Sequence, residues 1–280
     1  MSVLAQRLAR AGRFDRSRFL RFFIGGEPLG WLRPALGARL ARWPDLFDSR
    51  AGEVHLASRL STSDARSEAL ARVVRELADE GLVSGWRNES YAISTAPPGP
   101  TLFCIERAAV RPFGLPSLAV HVNGISAGDR KTLWIARRSR TLSTDPGMLD
   151  NLVGGGVGAG FNAQEVLLKE AWEEAGIEAA LARRATRGGT IHLLREVAQG
   201  VQSETILVHD LALPPDFRPR NQDGEVAEFR HAPAEEVLAL VRDTEEFTLD
   251  AALVTLDHFL REGAIAPTDP RYADLARWFT

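Results

Sequence analysis

Read for alternation of apolar and polar positions, the chain divides into a mainly helical first third and a strand-rich remainder. Ser63 opens the clearest helical stretch, SDARSEALARVVRELADEG, in which Leu70, Val73, Val74 and Leu77 recur at i, i+3, i+4 and i+7. Gly81 follows as a C-terminal cap. Residues 1–50 read as short basic helical pieces broken by Gly and Pro, as in IGGEPLGWLRPALGARL. TAPPGPT at 95–101 is turn-rich and reads as a linker. Beyond it, SLAVHVNGI and KTLWIARRS form two β-rich runs around the turn-like SAGDR. MLDNLVGGG reads as a short strand entering a glycine loop, followed by a helix from about Asn162 to Ala175. GTIHLLREV, ETILVHDLAL and EVAEFRHA continue as strands, with PPDFRPRNQDG as a loop. PAEEVLALVRD and LDAALVTLDHFLREG are helices, the first opened by Pro233 and the second closed by Gly263. Strands interspersed with helices predict an α/β or α+β sandwich.

The helix after the glycines raises a chemical question. Five glycines fall within Gly154–Gly160, and Asn162 with Glu165 forms a capping pair. Leu168, Ala171, Trp172 and Ala175 make an apolar stripe. Glu170, Glu173 and Glu174 are expected on the opposite side, where like charges at helical spacing repel. A glycine run lets backbone approach a ligand closely. Carboxylates and carbonyls are the hard oxygen ligands that Mg²⁺ and Mn²⁺ prefer, and magnesium held this way usually also touches substrate phosphates.

Composition narrows the setting. The 280 residues are 45% hydrophobic and 25% charged, enough for a sizeable core and one or two domains. A formal charge of −3 argues against a protein that coats nucleic acid or an anionic membrane, so neither partner is expected. A single cysteine, Cys104, leaves no intrachain disulfide and fits a cytoplasmic setting. The arginine-rich start reads as a surface helix rather than a transit peptide, because Asp15 interrupts it and no small-residue cleavage site follows an apolar core.

From Gly155 to Ile177 the sequence resembles the Nudix box, G-x5-E-x7-R-E-U-x-E-E-x-G-U, with U a bulky apolar residue. Gly155 takes the first glycine, Lys169 and Glu170 the Arg-Glu pair, Glu173 and Glu174 the Glu-Glu pair, then Gly176 and Ile177. Phe161 stands where the box has its first glutamate, Lys169 replaces arginine, and Ala171 is small for its position. Lys169 keeps the charge and loses the planar fork. ERAAVRPFGLPSLAVHVNG, GMLDNLVGGGVGAG, LPPDFRPRNQDGEVAEF and GLVSGWRNESYAI extend the resemblance to a Nudix subfamily with an N-terminal domain of unknown function (DUF4743-like). That subfamily is related to the Nudix portion of fungal thiamine pyrophosphokinase-type proteins, although too few residues follow Thr244 here for the kinase domain.

The resemblance implies a Nudix α/β/α sandwich with a mixed sheet plus an N-terminal α+β domain. The expected division is 1–112 for that accessory domain, 113–246 for the Nudix domain, and 247–280 for C-terminal helices packed on its core. It implies a Mg²⁺-dependent (or Mn²⁺-dependent) hydrolase cleaving a small-molecule diphosphate. Gly154, through its carbonyl, Glu170, Glu173 and Glu174 are the implied metal ligands. Glu170 is the first choice to take the water's proton, and Lys169 would orient the acids. Phe161 in the box leaves the number of metals open. Many relatives borrow a distant acid; Asp223, Glu225 and Glu228 are available, and Glu225 is preferred because it borders the loop and strand alternation separates it from Glu228.

Four further residues are candidates for substrate. Arg137 and Arg138 end a strand before the box and suit phosphate. Trp86 and Arg87 offer an aromatic ring and a cation for a flat heterocycle and a phosphate. His121 reads as a satisfied core histidine and Cys104 as a buried small residue. The subfamily resemblance points to thiamine diphosphate or its oxidised analogues, cut to the monophosphate. The alternatives are an ADP-ribose-like nucleoside diphosphate substrate and a non-catalytic Nudix-fold binding module. An isomerase of the same fold would need a cysteine near the active loop, and Cys104 lies upstream of it. Dimers are common among relatives, so a homodimer is an open expectation.

Overall fold

The computed structural model describes residues 3–128, 132–266, 268–269 and 278–279. Asp129, Arg130 and Lys131, in the predicted turn and at the start of the strand after it, lie outside the described residues, as does most of the chain after Pro267.

The first fifty residues are not the helical pieces expected of them. After α1 (Val3–Ala11) come β1 (Leu20–Ile24) and β2 (Glu27–Leu32), a hairpin turned by Gly25 and Gly26. α2 (Pro34–Leu40), β3 (Phe47–Arg50) and β4 (Glu53–Leu56) follow, and the four strands pair in the order β2-β1-β4-β3. α3 (Ser63–Asp79) behaves as its spacing requires. Thr62 caps it, and Leu70, Val73, Val74 and Leu77 are fully buried among the phenylalanines of this half. β5 (Ser90–Ile93) and β6 (Phe103–Glu106) form a second hairpin, leading to α4 (Arg107–Val110). TAPPGPT is the loop of that hairpin and not a linker; the chain passes to the larger sheet only through Arg111–Leu115.

The larger sheet collects β7 (Pro116–Ser126), β8 (Thr132–Arg138), β9 (Leu149–Asp150) and β10 (Val153–Gly156), then, after α5 (Ala163–Ala175) and α6 (Ala179–Ala182), β11 (Thr186–Val197), β12 (Gly200–Leu213) and β13 (Val226–Pro233). Its order is β11-β12-β7-β8-β13, with β10 beside β7 and β9 beside β8. β7 and β12 run parallel and their other partners antiparallel, so the sheet is mixed. Alternation splits its two faces. Val120, Val122, Leu211 and Leu213 pack under α5, whereas Ala119, Ile206 and Val208 pack under α7 (Ala234–Asp243) and α8 (Leu249–Arg261). The result is a helix–sheet–helix sandwich preceded by a smaller α+β unit. α1 joins the α8 face: Leu4 and Leu8 are buried there, and Arg7 Nη2 donates to the Phe247 carbonyl at 2.6 Å. No described helix is long and apolar enough to cross a membrane.

Candidate active site

α5 is fixed at both ends. Asn162 Oδ1 accepts from the Glu165 amide at 3.0 Å and Glu165 Oε2 accepts from the Asn162 amide at 2.8 Å, a complete capping box. Gly176 ends the helix in the left-handed region at φ 65°. The inward face differs from the expected stripe. Trp172 is 47% exposed, and the buried face runs through Val166, Leu167, Ala171, Glu174 and Ala175. Glu174 and, less completely, Glu170 therefore turn toward the sheet, while Glu173 stays beside the exposed Lys169.

The glycines explain this rotation. Gly154–Gly156 is not a loop but the strand β10, paired with His121, Val120 and Ala119. A strand without side chains leaves a trough that a carboxylate can enter. A Cβ on Gly155 would collide with the Glu170 side chain, and one on Gly156 would collide with the Tyr91 hydroxyl. The Gly154 amide donates to Glu174 Oε2 at 2.7 Å. One short strand thus receives an acid from α5 on one side and a tyrosine from the N-terminal unit on the other.

Charge at this strand is out of balance. Burial pushes the Glu174 carboxyl well above its ordinary pKa, and the neighbouring charges of Glu170, Asp150 and Glu225 push the same way; the Gly154 amide opposes them. Among the described residues Glu174 has no ion pair. Glu170 is also pushed up by burial, against the pull of Lys169. Burial would lower the Lys169 pKa, but hydrogen bonds to Glu173 at 2.6 Å and Glu170 at 3.1 Å outweigh it and raise it.

Two cavities meet beside the strand. A cleft of about 210 Å³ lies between the halves of the molecule. Arg87, Tyr91, Arg107 and Arg111 reach it from the N-terminal half, and Gly154–Gly156, His121, Gln202, Glu204 and Asp250 from the sandwich. A smaller space of about 10 Å³ is bounded by Glu174, Asn151 and Val226. That is close to what one water-sized occupant needs. Arg138, Asp150 and Glu225 line both.

The sequence candidates are distributed unevenly over this geometry. Glu225 sits at the junction of the cavities, paired with Arg87 at 2.7 Å. Arg138 is there too, donating to Asp150 at 2.8 Å and to the Thr144 carbonyl at 3.0 Å. Asp223 accepts the Glu225 amide at 2.8 Å and so shapes the turn that presents it. Glu228 faces elsewhere, 3.4 Å from Arg137. Arg137 is a correction: it points to Glu228, Glu246 and the Gly147 carbonyl and does not line the cleft. Trp86 is another. Its ring packs on the N-terminal core under the Arg75 guanidinium, 3.7 Å from the centroid, and its indole N–H is held by Asn88 at 2.8 Å. The aromatic of the cleft is Tyr91. Phe161 is exposed at the start of α5. His121 is buried and hydrogen-bonded to Asn151 Oδ1 at 2.9 Å, while Cys104 is half-buried on β6 and outside the cleft.

Asp150, Tyr91, Arg107 and Glu204 were not singled out from the sequence. Asp150 could have been, because it stands four residues before the glycine strand. The others become visible only when β5, α4 and β12 are brought to the same cleft.

Among the described residues no three ligating side chains already converge on one point. The donor chemistry nonetheless fits a divalent cation: hard carboxylate oxygens, one buried and without an ion pair, around a space the size of a water. Lys169 holds Glu170 and Glu173 by their carboxylates, so Glu173 would have to change partner to join them.

A family model for a domain of unknown function (DUF4743) matches residues 2–117, and one for the NUDIX domain matches residues 116–253. Nudix hydrolase 24, chloroplastic, of Arabidopsis thaliana is 39% identical over 262 residues, covering 92% of this chain and 72% of that protein. Nudix hydrolase 20, chloroplastic, of the same plant is 36% identical over 267 residues, covering 92% and 71%. The crystal structure of DR0079 from Deinococcus radiodurans superposes with a TM-score of 0.45 at 22% identity, over 61% of this chain and 99% of that one.

Proposed function

This chain belongs to the Nudix hydrolases, enzymes acting on acid anhydrides, and from that membership we propose that it cleaves a diphosphate linkage where the two cavities meet, with Mg²⁺ (or Mn²⁺) as cofactor. The observation that carries the reading is the surplus of carboxylate at β10: Glu174 is buried without an ion pair among the described residues, and the nearby Glu170, Asp150 and Glu225 repel its charge. Such a surplus is costly unless a cation joins it.

Glu170, Glu174 and Glu225 would hold the ion, with Glu173 after release from Lys169 and with the Gly154 carbonyl. When bound, the ion supplies charge neutralisation at the phosphates and a lowered pKa for the attacking water. The chain's own groups do the rest. Arg87 and Arg107 line the cleft wall and can bind the phosphates. Glu170 lines neither cavity and reaches β10 against Gly155; burial raises its basicity, which supports it as the acceptor of the water's proton. Tyr91, packed on Gly156, closes one wall and restricts bulk water.

A second lining carboxylate bears on the organic part of the substrate. Glu204 accepts from Gln202 Nε2 at 2.7 Å and Ser117 Oγ at 3.2 Å, with no ion pair among the described residues. A carboxylate fixed by two neutral donors suits a ligand with a positive charge or amino groups. The positive charge favours thiamine diphosphate, cut to the monophosphate, whereas its oxidised analogue and an adenine nucleotide would each rely on an amino group. Stacking on Trp86 no longer contributes. The test is kcat/KM for thiamine diphosphate, its oxo analogue and ADP-ribose under one Mg²⁺ condition. A thiamine compound should lead; ADP-ribose ahead by about tenfold, about 1.4 kcal/mol of transition-state preference, removes the thiamine reading.

A further inference from the structure

Arg87 carries the N-terminal unit to Glu225, beside the acids of β10 and α5. Arg87 Nη1 donates to Glu225 Oε1 at 2.7 Å, and both side chains are about one-third exposed. Their backbones are pinned. The Arg87 amide donates to Glu106 Oε1 at 3.0 Å, while the Glu225 amide donates to Asp223 and its carbonyl accepts from Ser139, each at 2.8 Å. The bases are fixed and the tips meet at the cavity junction.

The second arginine at the junction differs. Arg138 is committed to Asp150 and, through two nitrogens, to the Thr144 carbonyl, and it is the more buried of the two. Among the described residues the Arg87 guanidinium has one hydrogen-bonded partner, Glu225. Of the two guanidiniums, Arg87 is the one that can be reassigned.

We propose that Arg87 is an exchangeable counter-ion, pairing with Glu225 in the metal-free protein and moving to a substrate phosphate when a divalent cation takes Glu225. The inference rests on the diphosphatase reading above. A carboxylate oxygen occupied by a guanidinium is not free for a cation, so the ion and Arg87 compete for Glu225. A diphosphate removes the competition by giving Arg87 another anion of matching fork geometry. Ion and diphosphate therefore bind with positive coupling, and the coupling passes through a residue of the N-terminal unit.

The experiment measures Mn²⁺ binding to the full chain from the free-ion paramagnetic resonance signal. It is run with and without methylenediphosphonate, after subtraction of a protein-free titration of the same phosphonate. In the parent, the phosphonate should tighten Mn²⁺ binding. Arg87→Ala should bind Mn²⁺ alone more tightly than the parent, on the order of tenfold, and lose most of the tightening by phosphonate. Glu225→Gln, which frees Arg87, should bind the phosphonate without metal more tightly than the parent does. Arg87→Ala binding Mn²⁺ no better than the parent, or keeping full coupling, overturns the proposal; so does Glu225→Gln with no gain for phosphonate. A parent that hydrolyses diphosphates yet fails these tests refutes the exchange alone, whereas a parent that neither binds Mn²⁺ nor hydrolyses any diphosphate refutes the diphosphatase reading with it.

Discussion

Glu174 and Asp210 are both buried carboxylates of the sandwich, one on each face of its sheet, and their surroundings treat them oppositely. Asp210 accepts from Asn123 at 2.9 Å, from His258 at 3.0 Å and from Arg261 at 2.8 Å. Burial works against its charge, but these partners outweigh burial and hold the carboxyl far below its usual range. Glu174 accepts one backbone amide and is pushed far above its range. Burial alone does not decide the state of an acid; the number and charge of its donors do. The α8 face uses its acid as a structural tie. The α5 face leaves its acid without such a tie, the difference on which the proposed cation site rests.

Replacing each acid by its amide separates the two roles. Glu174→Gln keeps an acceptor for the Gly154 amide and removes the unbalanced charge. Turnover should fall on the order of 10³-fold, about 4 kcal/mol, while the melting temperature in chelator stays level or rises. Parallel activity and melting measurements check this; a variant as active as the parent removes Glu174 from the metal site. Asp210→Asn should do the reverse. It leaves Arg261 and His258 without their shared carboxylate and should cost about 3 kcal/mol in denaturant unfolding, with kcat per folded molecule little changed.

The acids of the α5 face were legible as a group, because the box spacing and the Asn162–Glu165 cap can both be read along the chain. Their orientation was not. Counting Trp172 as core places the stripe one position away from where it packs, and only the paired strand β10, bare of side chains, shows that the inward face can accept Glu174. The first sheet was hidden for a different reason. Arg16, Arg18 and Arg21 gave β1 and its approach a helical, basic look, and Gly25–Gly26 reads as a break until its two flanks pair. Trp86 and Arg87 are adjacent in sequence yet face different surroundings, one the N-terminal core and the other Glu225. Adjacent residues can be told apart only once the local backbone is known.

A pH series sharpens the contrast at smaller amplitude. The folded pKa of Asp210 lies below its unfolded value of about 3.9, so its contribution is present above about pH 4 and is lost as pH falls below that. The folded pKa of Glu174 lies above its unfolded value of about 4.3, so its contribution is present below about pH 4 and is lost as pH rises through the folded pKa. In chelator, Asp210→Asn should flatten the acid limb of the stability curve. Glu174→Gln should instead lift stability on the neutral side. Melting curves between pH 3 and 8 decide; two variants with the same pH dependence would contradict the difference drawn between the faces.

The seat of α1 has a consequence for biosynthesis. Leu4 and Leu8 are covered by the cluster that holds Phe247 and Leu253, and Arg7 bonds to a carbonyl 240 positions later. At a ribosomal pace of about 5–20 residues per second, the helix waits roughly 10–50 s for that partner to emerge. Until β11, α7 and that partner have all been made, its apolar side is incompletely covered and open to chaperones and to other nascent chains. The stretch around Phe247 thus helps to shelter a helix made 240 positions before it.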